Sequence, residues 1–252
     1  MSSPKSLHIL SFRHLITHNV TDSSQPNLTY YQRVPRKADS DKVFQVINGW
    51  IKNCSECHYD CRDIPPGKLP TRLVDVGPAD GSQEPYLFIT SEGPQLSSPE
   101  DTRYTALSYC WGTYSETNPP FTTTLSTLQE RKTGMSMKEI PRTIRDAITI
   151  TRRLGIQYLW VDSLCILQGP DPESRADWYK EAPRMSDVHG GAFLTIAAAW
   201  GQGVHDGIFF AREDPDLNVT EFALASETSA SRLKIFLGLS PPASVTKDNQ
   251  AT

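Results

Sequence analysis

The residues best suited to chemistry in this chain are a few carboxylates, a strand-like run ending Tyr-Cys-Trp-Gly, and a tight group of cysteines. Asp162 follows the uninterrupted apolar run Tyr158–Val161, the kind of strand that a parallel sheet buries on both faces. A carboxylate at the C-terminal end of such a strand stands where open α/β sheets bind ligands. There it could hold a ribose hydroxyl or stabilise a developing positive charge, and equally it could cap the loop Ser163–Gln168 that follows. Asp177 and Glu181 are four residues apart and so share one helix face. Together they could stabilise an oxocarbenium-like state, or form a solvated acidic face paired with Lys180, Arg184 or Arg175. Ser108, Tyr109, Trp111 and Gly112 close a second strand candidate. A glycine there permits close backbone approach and an aromatic ring could stack on a base, whereas a core role for Trp111 is the plainer alternative. With Gln168 and Asp177 these four make the candidate ligand-binding set, and Asp162 and Glu181 are the candidate catalytic residues.

Cys54, Cys57, His58 and Cys61 place four soft ligands within eight residues, part of a zinc pattern. Adjacent Cys57 and His58 fit poorly on one ion in so tight a loop, and no distant second ligand pair is visible. No metal is therefore expected, with this group the one weak candidate. Cys110 and Cys165 end strand candidates without a histidine beside them in sequence, and read as buried reduced thiols. A phosphate loop, a dinucleotide glycine motif, a Gly-x-Ser-x-Gly elbow and a His-Glu-x-x-His pair are all missing from the sequence, which sets aside the enzyme classes that depend on them.

The elements that would position these groups follow from periodicity. Val43, Val46, Ile47 and Ile51 recur at helical spacing over residues 41–53. Thr71–Val76 and Tyr86–Thr90 read as a hairpin. Tyr104–Tyr109 is a strand, a short helix is expected around Leu125–Arg131, and Ile140, Ile144, Ala147, Ile148, Thr151 and Leu154 line one face of a strong helix closed at Gly155. Tyr158–Val161 and Phe193–Ala198 are further strands, separated by a helix over about 173–188 with Trp178, Ala182, Met185 and Val188 facing inward and a defect at Pro183. Strand–helix–strand–helix–strand predicts an α/β fold, a small parallel sheet with flanking helices. Residues 1–40 read as a loosely ordered leader, 41–100 as a helix and hairpin region, 101–212 as the main domain, and 213–252 as an incomplete C-terminal extension with short strands near 222–224 and 233–237.

Of the 252 residues 38% are hydrophobic and 21% charged, enough for a globular core. The net charge of -4 argues against a nucleic-acid partner, which selects a basic face. The N-terminus has no secretory pattern, and the longest apolar stretch falls short of the roughly 20 residues of a membrane helix. Five cysteines without an export signal suggest reduced thiols. The expectation is a cytoplasmic protein with no membrane partner.

These blocks carry a family resemblance. Tyr104-Thr-Ala-Leu-Ser-Tyr-Cys-Trp-Gly112, Ile140-Pro-Arg-Thr-Ile-Arg-Asp-Ala-Ile148, the stretch Arg153–Gln168, and Asp177-Trp-Tyr-Lys-Glu181 with Thr195-Ile-Ala-Ala198 resemble, in order, the motifs of fungal heterokaryon-incompatibility (HET) domains. The matches cover roughly residues 45–210, and His189 stands where the family usually has tyrosine. The resemblance implies a self/non-self recognition module that triggers cell death through self-association or a protein partner. The family has been compared with Toll/interleukin-receptor (TIR) domains, which implies a flavodoxin-like fold and, as the alternative, an NAD hydrolase activated by oligomerisation with NAD as its candidate substrate. A TIR enzyme's glutamate lies on the helix after the third strand, where this chain has no glutamate between Trp200 and Phe210, only Asp206. The absence of the long C-terminal region usual in the family suggests a short member, a truncated product or a degenerate copy.

Overall fold

A computed structural model describes residues 37–57, 69–93, 102–115 and 119–210, and elsewhere only the backbone of five short strands. Residues Met1–Leu15 and Lys37–Phe210 form one compact unit. A second unit takes Ile16–Arg36 and Ala211–Thr252, within which β2 (Val20–Thr21) pairs antiparallel with β3 (Thr29–Tyr30) and β9 (Thr220–Leu224) with β10 (Leu233–Leu237).

The first unit is α/β, built on a mixed sheet. Its strands are β1 (Ile9–Ser11), β4 (Arg72–Asp75), β5 (Tyr86–Ile89), β6 (Tyr104–Ser108), β7 (Tyr158–Trp160) and β8 (Leu194–Ala197), in the order β1-β8-β6-β7-β4-β5. The expected parallel core is present: β6 runs parallel to both β7 and β8, and the three-residue β1 extends the sheet beside β8. The expected hairpin β4–β5 joins the same sheet, antiparallel to β7. The sheet is thus mixed where sequence suggested a parallel one, because apolar alternation marks a strand but not its neighbours.

The helices are α1 (Asp41–Cys57), α2 (Leu128–Thr133), α3 (Arg142–Arg153), the single turn α4 (Asp162–Cys165), α5 (Pro172–Glu181) and α6 (Met185–Gly191). On α3, Ile144, Ala147, Ile148, Ile150 and Thr151 are all fully buried, against β6 and β7. Gly155, at φ +70°, turns the chain into β7. Successive residues of β6 divide the helices between the two faces of the sheet. Thr105 Oγ1 lies 2.7 Å from Thr151 Oγ1 of α3, while the Tyr104 hydroxyl donates to the Val188 carbonyl of α6 at 2.6 Å.

The helix expected over 173–188 is two helices. Pro183 sits in a 3-10 turn, Ala182–Arg184, between α5 and α6, so the inward stripe read through it is broken. Val188 is buried, but Trp178 is 49% exposed. The buried positions of α5 are Ser174 and Glu181. Asp171 caps that helix, its Oδ1 accepting the Ser174 amide at 2.7 Å.

Because Ile148 is fully buried between α3 and the sheet, Ile148→Ala is expected to cost about 2–5 kcal/mol, read as a lower urea midpoint with an unchanged slope.

Candidate functional site

The chain leaves β6 for β7 through α3 on one face and leaves β7 for β8 through α4, α5 and α6, with α6 on the other. With β6 between β7 and β8, these two connections leave toward opposite faces from the C-terminal ends of the neighbouring strands β6 and β7. A crevice is expected where the strand order switches in this way. Beside that point an open cleft of about 290 Å³ is lined by Trp111, Gly112, Tyr114 and Pro120 after β6 and by Gly203 and Asp206 after β8, among others.

The two loops are clamped by backbone. Ala198 N donates to Ser108 O at 2.8 Å and Val204 N to Trp111 O at 3.2 Å. Gly112 has φ +90°, and a β-carbon on it would stand 2.9 Å from Gly203 Cα, so both the conformation and the approach require glycine. The β8 loop is held in turn by α3: Thr143 N donates to Val204 O at 2.9 Å, and Asp146 Oδ2 accepts from Ile208 N at 2.7 Å. Asp206, the acidic residue of this loop, accepts from the backbone of Gln202 at 2.6 Å and Gly203 at 2.9 Å through Oδ2.

Asp162 stands behind the cleft wall. Its Oδ2 accepts the Trp111 indole N–H at 2.8 Å and its Oδ1 the Ser163 amide at 2.7 Å. The Tyr109 hydroxyl donates to Ser163 Oγ at 2.9 Å, and the Trp111 ring meets Tyr114 edge-on with centroids 6.0 Å apart. Burial raises the Asp162 carboxyl above its ordinary range, the hydrogen bonds from Trp111 and Ser163 opposing it only in part. Burial likewise depresses the His189 imidazole against the opposing pull of Asp162, and His189 packs edge-on to Trp160 at 5.5 Å. Burial and the nearby Asp162 charge push the Tyr109 phenol well upward.

Ser108, Tyr109, Trp111, Gly112 and Asp162 are therefore brought to one place, with Ser108 exposed at the strand end. Trp111 is half-buried and lines the cleft; the plainer core role would have hidden it. Asp177 and Glu181 make a different cluster with the start of β4. Asp177 Oδ2 pairs with the Arg72 guanidinium and accepts Leu167 N at 2.8 Å, while Arg72 Nε donates to Cys165 O at 2.7 Å. Glu181, 5% exposed, accepts from Thr71 Oγ1 at 2.6 Å and pairs with Lys180 at 3.0 Å and Arg184 at 3.2 Å. Burial would raise its carboxyl, but these partners outweigh it and the net shift is downward. The expected pairing with Lys180 and Arg184 is there, on a buried face and not a solvated one. Gln168 Nε2 donates to Ile166 O at 3.2 Å and its amide to Thr123 O at 2.8 Å.

Cys165 is buried, with its thiol pushed up to about 12 by desolvation. Cys110 is exposed, which corrects the expectation of a buried thiol: it lies past the last paired residue of β6, beyond the helices that cover the strand. Of the weak zinc candidates, Cys54 and Cys57 lie on α1, and His58 and Cys61 fall outside the described residues. No group of three or more metal-binding side chains occurs among the described residues.

Thr71 and Arg72 were missed as partners of the α5 carboxylates. The available signal was a charge inside the buried strand Arg72–Asp75, since a buried arginine needs a counter-ion.

The family model described as Heterokaryon incompatibility protein (HET) matches residues 104–246, more than half of the 252-residue chain. No curated protein and no solved structure matches it.

Removing one side of a buried ion pair strands the other, so Asp177→Ala is expected to cost about 3–5 kcal/mol in urea unfolding. A histidine whose folded pKa lies below its unfolded value, about 6.5, adds stability that is full above that pH and is lost as the pH falls through the folded value. The melting temperature should therefore fall on acidification below about pH 6.5, and His189→Gln should flatten that limb. Asp162, shifted upward, acts with the opposite sign. Its contribution is full below about pH 3.9 and is lost as the pH rises through its folded value. Melting curves from about pH 8 to about pH 3 separate the two.

Proposed function

The chain belongs to the heterokaryon incompatibility (HET) family, and from that premise we propose that it is a cytoplasmic self/non-self recognition module. It triggers fungal cell death through self-association or contact with a protein partner. Membership implies a role in heterokaryon incompatibility; the contact mechanism is the proposal. The observation that carries it is the engagement of the candidate carboxylates by the protein's own groups. Asp162 holds Trp111, Asp177 holds Arg72, and Glu181 holds Thr71, Lys180 and Arg184. What the cleft offers to solvent is instead a set of side chains suited to contact, with Tyr114 and Asp206 both exposed. No helix among the described residues is long and apolar enough to cross a membrane, and neither a membrane nor a nucleic acid is part of the reading.

One observation favours a second reading, a TIR-like NAD hydrolase activated by oligomerisation. Asp162 lies at the C-terminal end of β7 with its carboxyl raised by burial, the direction in which an environment favours a proton-donating acid.

The two part on expression. Inducible production in a fungal host, with viability and intracellular NAD followed in the same cultures, is expected to show death with NAD unchanged. Asp162→Asn and Glu181→Gln each remove the charge and keep one of the two acceptor oxygens, and variants that melt like the parent should kill as it does. NAD that falls before viability, with both effects lost in a carboxylate variant that melts like the parent, would overturn the contact reading in favour of the enzyme. Soluble protein that leaves viability untouched would overturn both.

A further inference from the structure

Resting on the contact reading, we propose that the cleft between the β6 and β8 loops receives an arginine side chain from a basic segment of a partner protein. The first reason is charge. Among the described residues lining the cleft there is a carboxylate, Asp206, beside one histidine, His205, and neither a lysine nor an arginine. Both backbone donors to Asp206 end on Oδ2, and Oδ1 accepts no hydrogen bond among the described residues. An exposed carboxylate with one committed oxygen can still accept a charge-assisted bond from a guanidinium.

The second reason is the aromatic wall. Trp111 and Tyr114 stand edge to face, 71° apart, with Tyr114 exposed. A cation above such a ring is attracted by its negative face, most strongly for tryptophan. The Trp111 N–H is given to the Asp162 carboxylate at 2.8 Å; a hydrogen bond to an anion leaves the indole richer in electron density and its face more attractive to a cation. The planar guanidinium also stacks on an aromatic ring as a lysine ammonium does not. Pro119 and Pro120 add apolar surface for the arginine stem.

The same lining is unsuited to a polyphosphate, which would select basic side chains and backbone donors turned into the site. Here the Gln202 and Gly203 amides already donate to Asp206. A dinucleotide is accordingly the competing occupant to be tested.

The probe is a fluorescently labelled acetyl-Gly-Arg-Gly-Arg-Gly-amide peptide, with a twin in which citrulline replaces each arginine, followed by anisotropy against the full chain. Citrulline keeps the shape and removes the charge. The arginine peptide is expected to bind saturably and the citrulline peptide at least about fivefold more weakly, the value of one cation–π contact of about 1 kcal/mol. Asp206→Asn keeps the oxygen that holds the Gln202–Gly203 turn and loses the charge, and Tyr114→Leu keeps bulk and loses the ring. Each should weaken the arginine peptide about fivefold while melting like the parent. Equal binding of the two peptides, parent-like binding by both variants, no saturable binding, or displacement of the peptide by NAD would overturn the proposal. Any of these, with the parent still killing at constant NAD, would remove the arginine site and leave the contact reading standing. Death that follows NAD loss would remove the contact reading whatever the peptide does.

Discussion

Between Tyr104 and Leu107 no side chain of β6 is more than 2% exposed, so this strand must be covered on both faces. A single helical layer could not do it, because successive side chains point to opposite sides. The chain meets the demand by sending α3 across the Thr105 face and α6 across the Tyr104 face. Placing β7 on one side of β6 and β8 on the other then follows from connections that lie on different faces. The cleft is a by-product of this arrangement. The loops after β6 and β8 line it, and the Gly112–Gly203 approach sets how closely they pack.

Burying a sheet edge to edge also buries polar groups, and these are paired across long sequence separations. Arg72 would be costly in β4 without Asp177 and the Cys165 carbonyl. Arg152, at the end of α3, donates to Val76 O at 2.5 Å and Gln83 O at 2.7 Å, which fastens the β4–β5 hairpin to the helix. Its neighbour Arg153 covers the Phe44 ring at 3.7 Å and pairs with Asp41 at 2.5 Å, fastening α1. Two adjacent arginines that suit the negative end of a helix thus act mainly as ties to two other elements.

This division explains what could be read from the chain before its structure. Local patterns are legible: the α3 stripe from Ile144 to Thr151, the apolar run before Asp162, the hairpin and the glycine stop at Gly155 all appear where periodicity and turn chemistry put them, while Ile140 and Leu154 fall just outside the helix. The gathering of Ser108, Tyr109, Trp111, Gly112 and Asp162 was also legible, because strand ends in a parallel sheet converge. What could not be read were partners more than 100 residues apart, such as Arg72–Asp177 and Thr71–Glu181, since nothing local specifies them. The inward placement of Trp178 failed for a different reason. The stripe runs across Pro183, and the 3-10 turn there rotates the segment before it relative to the segment after it, so burying Val188 does not bring Trp178 inward.

Asp162 shows why position alone underdetermines a role. A carboxylate at the end of β7 is where a ligand would be met, yet its two oxygens are taken by the Trp111 indole and the Ser163 amide. Burial disfavours its charge, so holding Trp111 this way costs stability whenever the group is ionised. A tryptophan needed only as filler would be held more cheaply by apolar packing, with its N–H on a backbone carbonyl. Keeping a desolvated carboxylate at that point makes sense if the ring it anchors must stand in one orientation at the cleft, with its face available to something that arrives there. The same bond makes that face more negative, so the interaction that fixes the wall also sets what the wall attracts.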